Sequence, residues 1–379
     1  MFNDIVDHYA TTKNYFESSL SSAIAVTRST IATVLSGHHL TSTRNINPLF
    51  RRRSAAFDAK SSPRKAPGAY RIVLTSGLVL ILREVFERAS CINLGLKTTG
   101  NPTPRRRVEV AFSPTVGARA TYLTAAERSF SRPSWWQYMT PATIEWAHYM
   151  SLLGVWFIVN HEIAHIIRGH FTYLKRRGFT GELSEFSFVD ERSSSFKHRF
   201  LEYDADNFAF DLMVWQVEAR FGPLRKSNPD ATSMVFQMYL ASLLIFLLLD
   251  RNTGKLAFND KSSHPPLLAR AAQLTQTLFD IFRDTDIPLK TVGTEIKRIL
   301  TACCRLARHL NIPNGRWLAG ELLGKEFEMS LDDRESYLDI LKELNKIADL
   351  KSALVHRKSA ADAAPGKKRH RTQPRPLKD

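Results

Sequence analysis

In the run Asn160-His161-Glu162-Ile163-Ala164-His165, two histidines stand four residues apart and a glutamate directly follows the first. On an α-helix this spacing puts His161 and His165 one turn apart on the same face, where two imidazole nitrogens can grip one cation. Glu162 then stands beside the metal rather than on it, placed to take a proton from a zinc-bound water. The chemistry predicted by this spacing is hydrolysis assisted by one Zn²⁺ per chain.

The surrounding sequence predicts the helix. Residues 146–167 read WAHYMSLLGVWFIVNHEIAHII, with no proline and a single glycine. Apolar residues occupy nearly every face, which describes a buried helix rather than an amphipathic surface one. Two imidazoles and a carboxylate are costly in such a place unless hydrogen bonds or a metal satisfy them. On this motif alone, a pair of ordinary hydrogen-bonded histidines stays open as the alternative.

A catalytic zinc needs a third protein ligand and an open position. The extended pattern H-E-x-x-H-x-x-G-x-x-H would require glycine at 168 and histidine at 171, where the chain has Arg168 and Phe171. His170 falls about 180° from His161 on a continuous helix. With Gly169 it reads as a helix end facing the C-terminal dipole, and as a poor ligand. The better candidate lies in RFLEYDADNFAFDL, residues 199–212. There Glu202 and Asp206 stand at i and i+4 beside an apolar stripe of Ala205, Phe208, Ala209 and Leu212. Glu202 is the expected third ligand, and Asp206 is placed to hold the outer nitrogen of a zinc histidine. Asp204 and Asp211 read as exposed acids. Glu182, Glu185 and Glu191, in a Ser-rich loop, are weaker ligand candidates. A last block, SSHPPLLAR at 262–270, reads as a helix start containing His264 and ending in Arg270.

Taken in order, H-E-x-x-H (161–165), E-x-x-A-D (202–206) and S-H-P-P-x-x-x-R (263–270) resemble the zinc metallopeptidases of the CAAX prenyl protease and HtpX heat-shock protease family. A weaker likeness, of layout only, is to the Lit-type phage-exclusion peptidases. The first resemblance implies a gluzincin core with Zn²⁺ on His161, His165 and Glu202. It implies Glu162 as general base, Asp206 as the carboxylate behind the ligands, and His264 as the oxyanion donor. Arg270 would be structural or site-lining, and Tyr203 is a further site-lining candidate. The substrate would be a protein or peptide lying along an edge strand, for which residues 108–112 (VEVAF) are the candidate.

Those relatives carry membrane-spanning helices, and a span needs about 20 apolar residues. Residues 234–249 offer 16, interrupted by Gln237 and Ser242 and closed by Asp250-Arg251. A core helix is therefore expected, with no transmembrane span. Three cysteines (Cys91, Cys303, Cys304) make no disulfide framework, and no basic-then-apolar signal segment opens the sequence. The expected location is cytoplasmic.

The 379 residues are 44% apolar, enough for a large core, and carry a formal net charge of +16. Basic segments at 51–65, 105–107 and 357–378 can draw a weak anionic partner, nucleic acid or a membrane surface, by counterion release. No zinc knuckle, RNP-type strand or helix-turn-helix pattern accompanies them. The expected organisation is an N-terminal helix (1–40), a basic flexible linker (41–69) and a zinc metallopeptidase domain (70–283, core 126–283). A C-terminal helical region (284–356) and a disordered basic tail (357–379) follow. Long helices around few strands give a predominantly helical α+β class. The reading is a zinc-dependent endopeptidase. Two alternatives are a catalytically silent zinc-binding interaction module and a basic nucleic-acid or membrane-surface adaptor.

Overall fold

A computed structural model describes residues 12–37, 45–51, 59–64, 69–92, 94, 139–176, 183–184, 195–253 and 267–309. Helix α1 (Thr12–Gly37) comes first. Its Ser/Thr-rich sequence stays helical with hydroxyls bonded back one turn: Thr27 Oγ1 donates to the Ala23 carbonyl and Thr30 Oγ1 to that of Val26, both at 2.8 Å.

Strands β1 (Asn45–Arg51), β2 (Ala59–Pro63) and β3 (Ala69–Thr75) follow. β3 runs parallel to β1 and antiparallel to β2, with Ile46 opposite Tyr70 and Ser61 opposite Ile72. The two-residue β4 (Leu183–Ser184) joins the far side of β2, giving the order β1-β3-β2-β4. Two of these strands correct the sequence reading, in which 41–69 is a flexible linker. β1 alternates a buried Ile46 with an exposed Leu49, and its Pro48 is tolerated because, among the described residues, β1 pairs with β3 on one side only. β2 buries Ala59, Ser61 and Ser62, residues too small and polar for a hydropathy pattern to register.

β3 passes directly into helix α2 (Ser76–Ser90), where the Thr75 hydroxyl caps the first turn by accepting from the Leu78 amide at 3.3 Å. Every residue of α2 is buried. Helix α3 (Pro141–Ile167) is the 27-residue apolar run. It opens on a reciprocal cap: the Thr143 amide donates to Thr140 Oγ1 (3.2 Å) and the Thr140 amide to Thr143 Oγ1 (2.6 Å), with Pro141 in the first turn. Helix α4 (His170–Arg176) follows a two-residue break, then α5 (Ser195–Phe221), α6 (Pro229–Thr253), α7 (Leu267–Arg283) and α8 (Leu289–His309).

α3 is the axis of this assembly. α1, α2, α5 and α6 pack around it, and β2 and β3 meet it from the sheet side. Gly154 marks a close approach, since a Cβ there would lie 3.3 Å from Leu82 of α2 and 3.6 Å from Ile245 of α6. One buried core runs through the elements from α1 to α8. By length and composition alone, Pro141–Ile167 and Pro229–Leu249 are long and apolar enough to cross a membrane. Of their most apolar windows, 89% and 72% respectively are buried within the fold. The core segment read at 234–249 is thus part of a longer helix. The described structure is mostly helical with a small mixed sheet, the α+β class expected. Residues 108–112, 254–266 (with His264), 317–356 and 357–379 lie outside the described residues.

Candidate metal centre

Two helices build the centre, and a polar relay sets their register. Trp156 Nε1 of α3 donates to Gln216 Oε1 of α5 at 2.8 Å, and Gln216 Nε2 donates to Asn160 Oδ1 at 3.3 Å. Immediately after Asn160, His161 and His165 project from α3 toward Glu202 on α5. Their Nε2 atoms are 2.9 Å apart. Glu202 closes the group, with Oε2 3.3 Å from His161 Nε2 and Oε1 3.6 Å from His165 Nε2. One donor atom from each of the three residues falls within a 4.8 Å cluster that could hold a metal ion. This is the triad expected from the sequence, and all three side chains are buried. Glu162, the residue after His161, is also buried, at 1% exposure.

Asp206 stands where the i, i+4 spacing puts it. Its Oδ1 lies 3.0 Å from His161 Nδ1. An ionised carboxylate only accepts, so Nδ1 of His161 carries the proton and Nε2 presents its lone pair to the centre. Arg270 of α7 clamps the same carboxylate, Nε donating to Oδ2 at 2.6 Å and Nη2 to Oδ1 at 2.7 Å. Its guanidinium sits 4.5 Å over the Phe246 ring. The guanidinium fork of Arg270 is aimed at Asp206. Tyr203 is half-buried with its ring 6.2 Å from that of Phe200.

A second chain of polar groups departs from the sequence reading. The expectation for His170 is a position opposite His161, but its Nδ1 lies 2.8 Å from His165 Nδ1. The frame changes at Gly169, whose φ of 74° turns the backbone before α4 begins. Asp204 is not an exposed acid either. It is buried, accepting from Arg168 Nε (2.7 Å) and Nη2 (2.8 Å) and lying 2.9 Å from His170 Nε2. Burial opposes ionisation of Asp204, but the Arg168 guanidinium and His170 outweigh it and hold the carboxyl well below the usual range. Burial pushes His170 down from its ordinary value, against the pull of Asp204. The sequence signal for these groups was the Arg168-Gly169-His170 triplet at the helix end.

The donor chemistry fits a divalent cation. A lone-pair nitrogen and a carboxylate converge with a second imidazole in a buried space, an arrangement that repels itself until a cation or proton sits between. Among the named groups, four carboxylates (Glu162, Glu202, Asp204, Asp206) face two guanidiniums (Arg168, Arg270), and a 2+ ion offsets the formal difference. These are the features of a site that could hold a metal ion.

A family model described as Peptidase U49, the family of Lit-type metallopeptidases, matches residues 132–286. The matched segment runs from just before α3 to just beyond α7 and so contains the whole centre. That similarity supports a peptidase, and together with the His161–His165–Glu202 group it supports a metallopeptidase. It falls on the weaker of the two likenesses drawn from sequence, whereas the CAAX protease and HtpX resemblance rests on the three motif blocks alone. Searches of curated proteins and of solved structures returned no significant match.

Proposed function

We propose that this chain is a zinc-dependent endopeptidase that hydrolyses peptide bonds of a protein substrate. The observation that carries the reading is the convergence of His161, His165 and Glu202, from two helices far apart in sequence, into one buried cluster. The Peptidase U49 similarity over residues 132–286 supports the peptidase part of the reading.

His161, His165 and Glu202 would hold the metal, leaving a coordination position open to water or substrate. Zinc bound there would supply Lewis acidity, easing loss of a water proton near neutral pH and drawing electron density from the scissile carbonyl. Glu162, next to a ligand and shielded from solvent, accepts that proton and returns it to the leaving amine. Asp206 and Arg270 keep the His161 lone pair aimed at the centre through the transfer. The oxyanion donor is assigned to His264 on the strength of the S-H-P-P-x-x-x-R block, with Tyr203 as the other candidate. Free thiols at Cys91, Cys303 and Cys304 fit a reducing, cytoplasmic location. The basic segments at 51–65, 105–107 and 357–378 give a weak anionic partner as a further proposal.

Elemental analysis of the purified chain is expected to give one zinc equivalent, lost in His161→Ala. Glu162→Gln is expected to retain the zinc and lose proteolysis by about 10²- to 10⁴-fold, the usual contribution of a general base. Zinc without proteolysis in the wild type would instead support the silent interaction module, and absence of zinc would leave the basic adaptor.

A further inference from the structure

The two metal-facing imidazoles are backed in different ways. On the side away from the centre, His161 Nδ1 lies beside a carboxylate, Asp206, whereas His165 Nδ1 lies beside the ring of His170, whose far nitrogen meets Asp204. We infer that His170 is a positioning residue of the centre, passing the acceptor demand of Asp204 through its ring to fix which nitrogen of His165 faces the metal. This rests on the metal reading of His161, His165 and Glu202.

The proton positions follow from what each atom can accept. Asp204 is clamped at both oxygens by Arg168 and acts as acceptor only. His170 Nε2, 2.9 Å from Asp204 Oδ2, is therefore the protonated nitrogen of that ring. A neutral imidazole has one donor and one acceptor, so His170 Nδ1 accepts. Its partner at 2.8 Å, His165 Nδ1, is then the donor, and the lone pair of His165 is left on Nε2. That nitrogen is the one beside His161 Nε2 and Glu202.

The extra ring has a geometric reason. At 100° per residue, Asp206 lies about 40° round α5 from Glu202 and can reach a ligand histidine itself, whereas Asp204 lies about 200° round. The His170 ring bridges that gap, and the positive φ of Gly169 brings the ring to the His165 side. His165, His170, Asp204 and Arg168 are all at least nine-tenths buried, so the chain of bonds works in a medium where orientation is strongly enforced. An Arg168–Asp204 pair alone would serve packing. A ring inserted between that pair and a ligand nitrogen serves the ligand.

The test is zinc release from the full-length protein to an excess of chelator, after zinc stoichiometry is measured. His170→Ala is expected to release zinc about 10- to 100-fold faster than wild type. His170→Asn, whose amide oxygen stands near the Nδ1 position and accepts from His165, is expected to restore slow release. His170→Gln, with its amide near the Nε2 position, is expected not to. The visible spectrum of the Co²⁺-loaded protein is expected to change in His170→Ala and return toward wild type in His170→Asn. A wild type without bound zinc would sink the metal reading and this inference with it. Full zinc in the wild type with unchanged release from His170→Ala overturns the role of His170 alone. If His170→Ala does not fold, the Asn and Gln variants carry the comparison, and equal release from the two overturns the inference.

Discussion

Asp206 serves two partners through one oxygen, taking His161 Nδ1 and Arg270 Nη2 on Oδ1 while Arg270 Nε takes Oδ2. Both the carboxylate and the guanidinium are about 3% exposed, so neither charge has bulk water to fall back on. Removing one partner of a buried pair costs more than the pair is worth, because the other charge stays behind. Arg270→Leu is therefore expected to destabilise the fold by about 3–5 kcal/mol, read from urea denaturation. Asp206→Asn keeps the shape but gives His161 a weaker, uncharged acceptor. It is expected to lower zinc affinity about 10- to 100-fold in a chelator competition. A stable Arg270→Leu protein with wild-type zinc affinity would show that the clamp carries neither load.

At the scale of elements, α3 is held at its start by the Thr140–Thr143 cap and at its end by a glycine that turns the chain. Gly169→Ala forces a side chain into the left-handed region, and the expected cost is about 1–2 kcal/mol in a urea melt. Along its middle, α3 carries His148, whose imidazole is pushed down to about 4 by burial, reinforced by the Arg83 guanidinium of α2. The folded value lies below the unfolded one of about 6.5. The neutral ring's contribution is therefore present above about pH 6.5 and is lost as pH falls toward 4. The urea midpoint of His148→Gln is expected to drop less between pH 7.5 and 5 than that of wild type, and parallel drops would remove His148 as the cause. The helices and the pairing of His161 with His165 were legible because both follow from the fixed period of 3.6 residues per turn, and Glu202 was legible from its place beside an apolar stripe. His170 was misplaced because a wheel drawn through Gly169 assumes one continuous helix, and a single positive φ breaks that frame. Asp204 was read as exposed because periodicity marks only one buried face of α5, while the second is created by Arg168 and α4. β2 escaped because Ala59, Ser61 and Ser62 are buried without being strongly apolar.

For the whole molecule, the candidate centre ties the core together, since His161, His165 and Glu202 come from α3 and α5 and the groups bonded behind them from α4, α5 and α7. A ligand that binds only the folded state stabilises it by mass action, by about 4 kcal/mol at a thousandfold excess over Kd. Zinc removal is accordingly expected to lower the melting temperature by several degrees in calorimetry. The cysteines provide a second, independent reading of the same coupling. Burial pushes the Cys91 thiol up to about 12 and Cys303 well above its usual value, so both are protonated and enclosed in the folded state. Labelling by a thiol reagent at pH 7.5 then needs the fold to open first. After zinc loading and removal of free metal, labelling of wild type is expected to slow by the factor that matches the gain in stability. His161→Ala, treated identically, is expected to label at one rate with and without zinc, which excludes capture of the metal by the thiols themselves. Equal slowing in both proteins would place the metal on sulfur and not between α3 and α5.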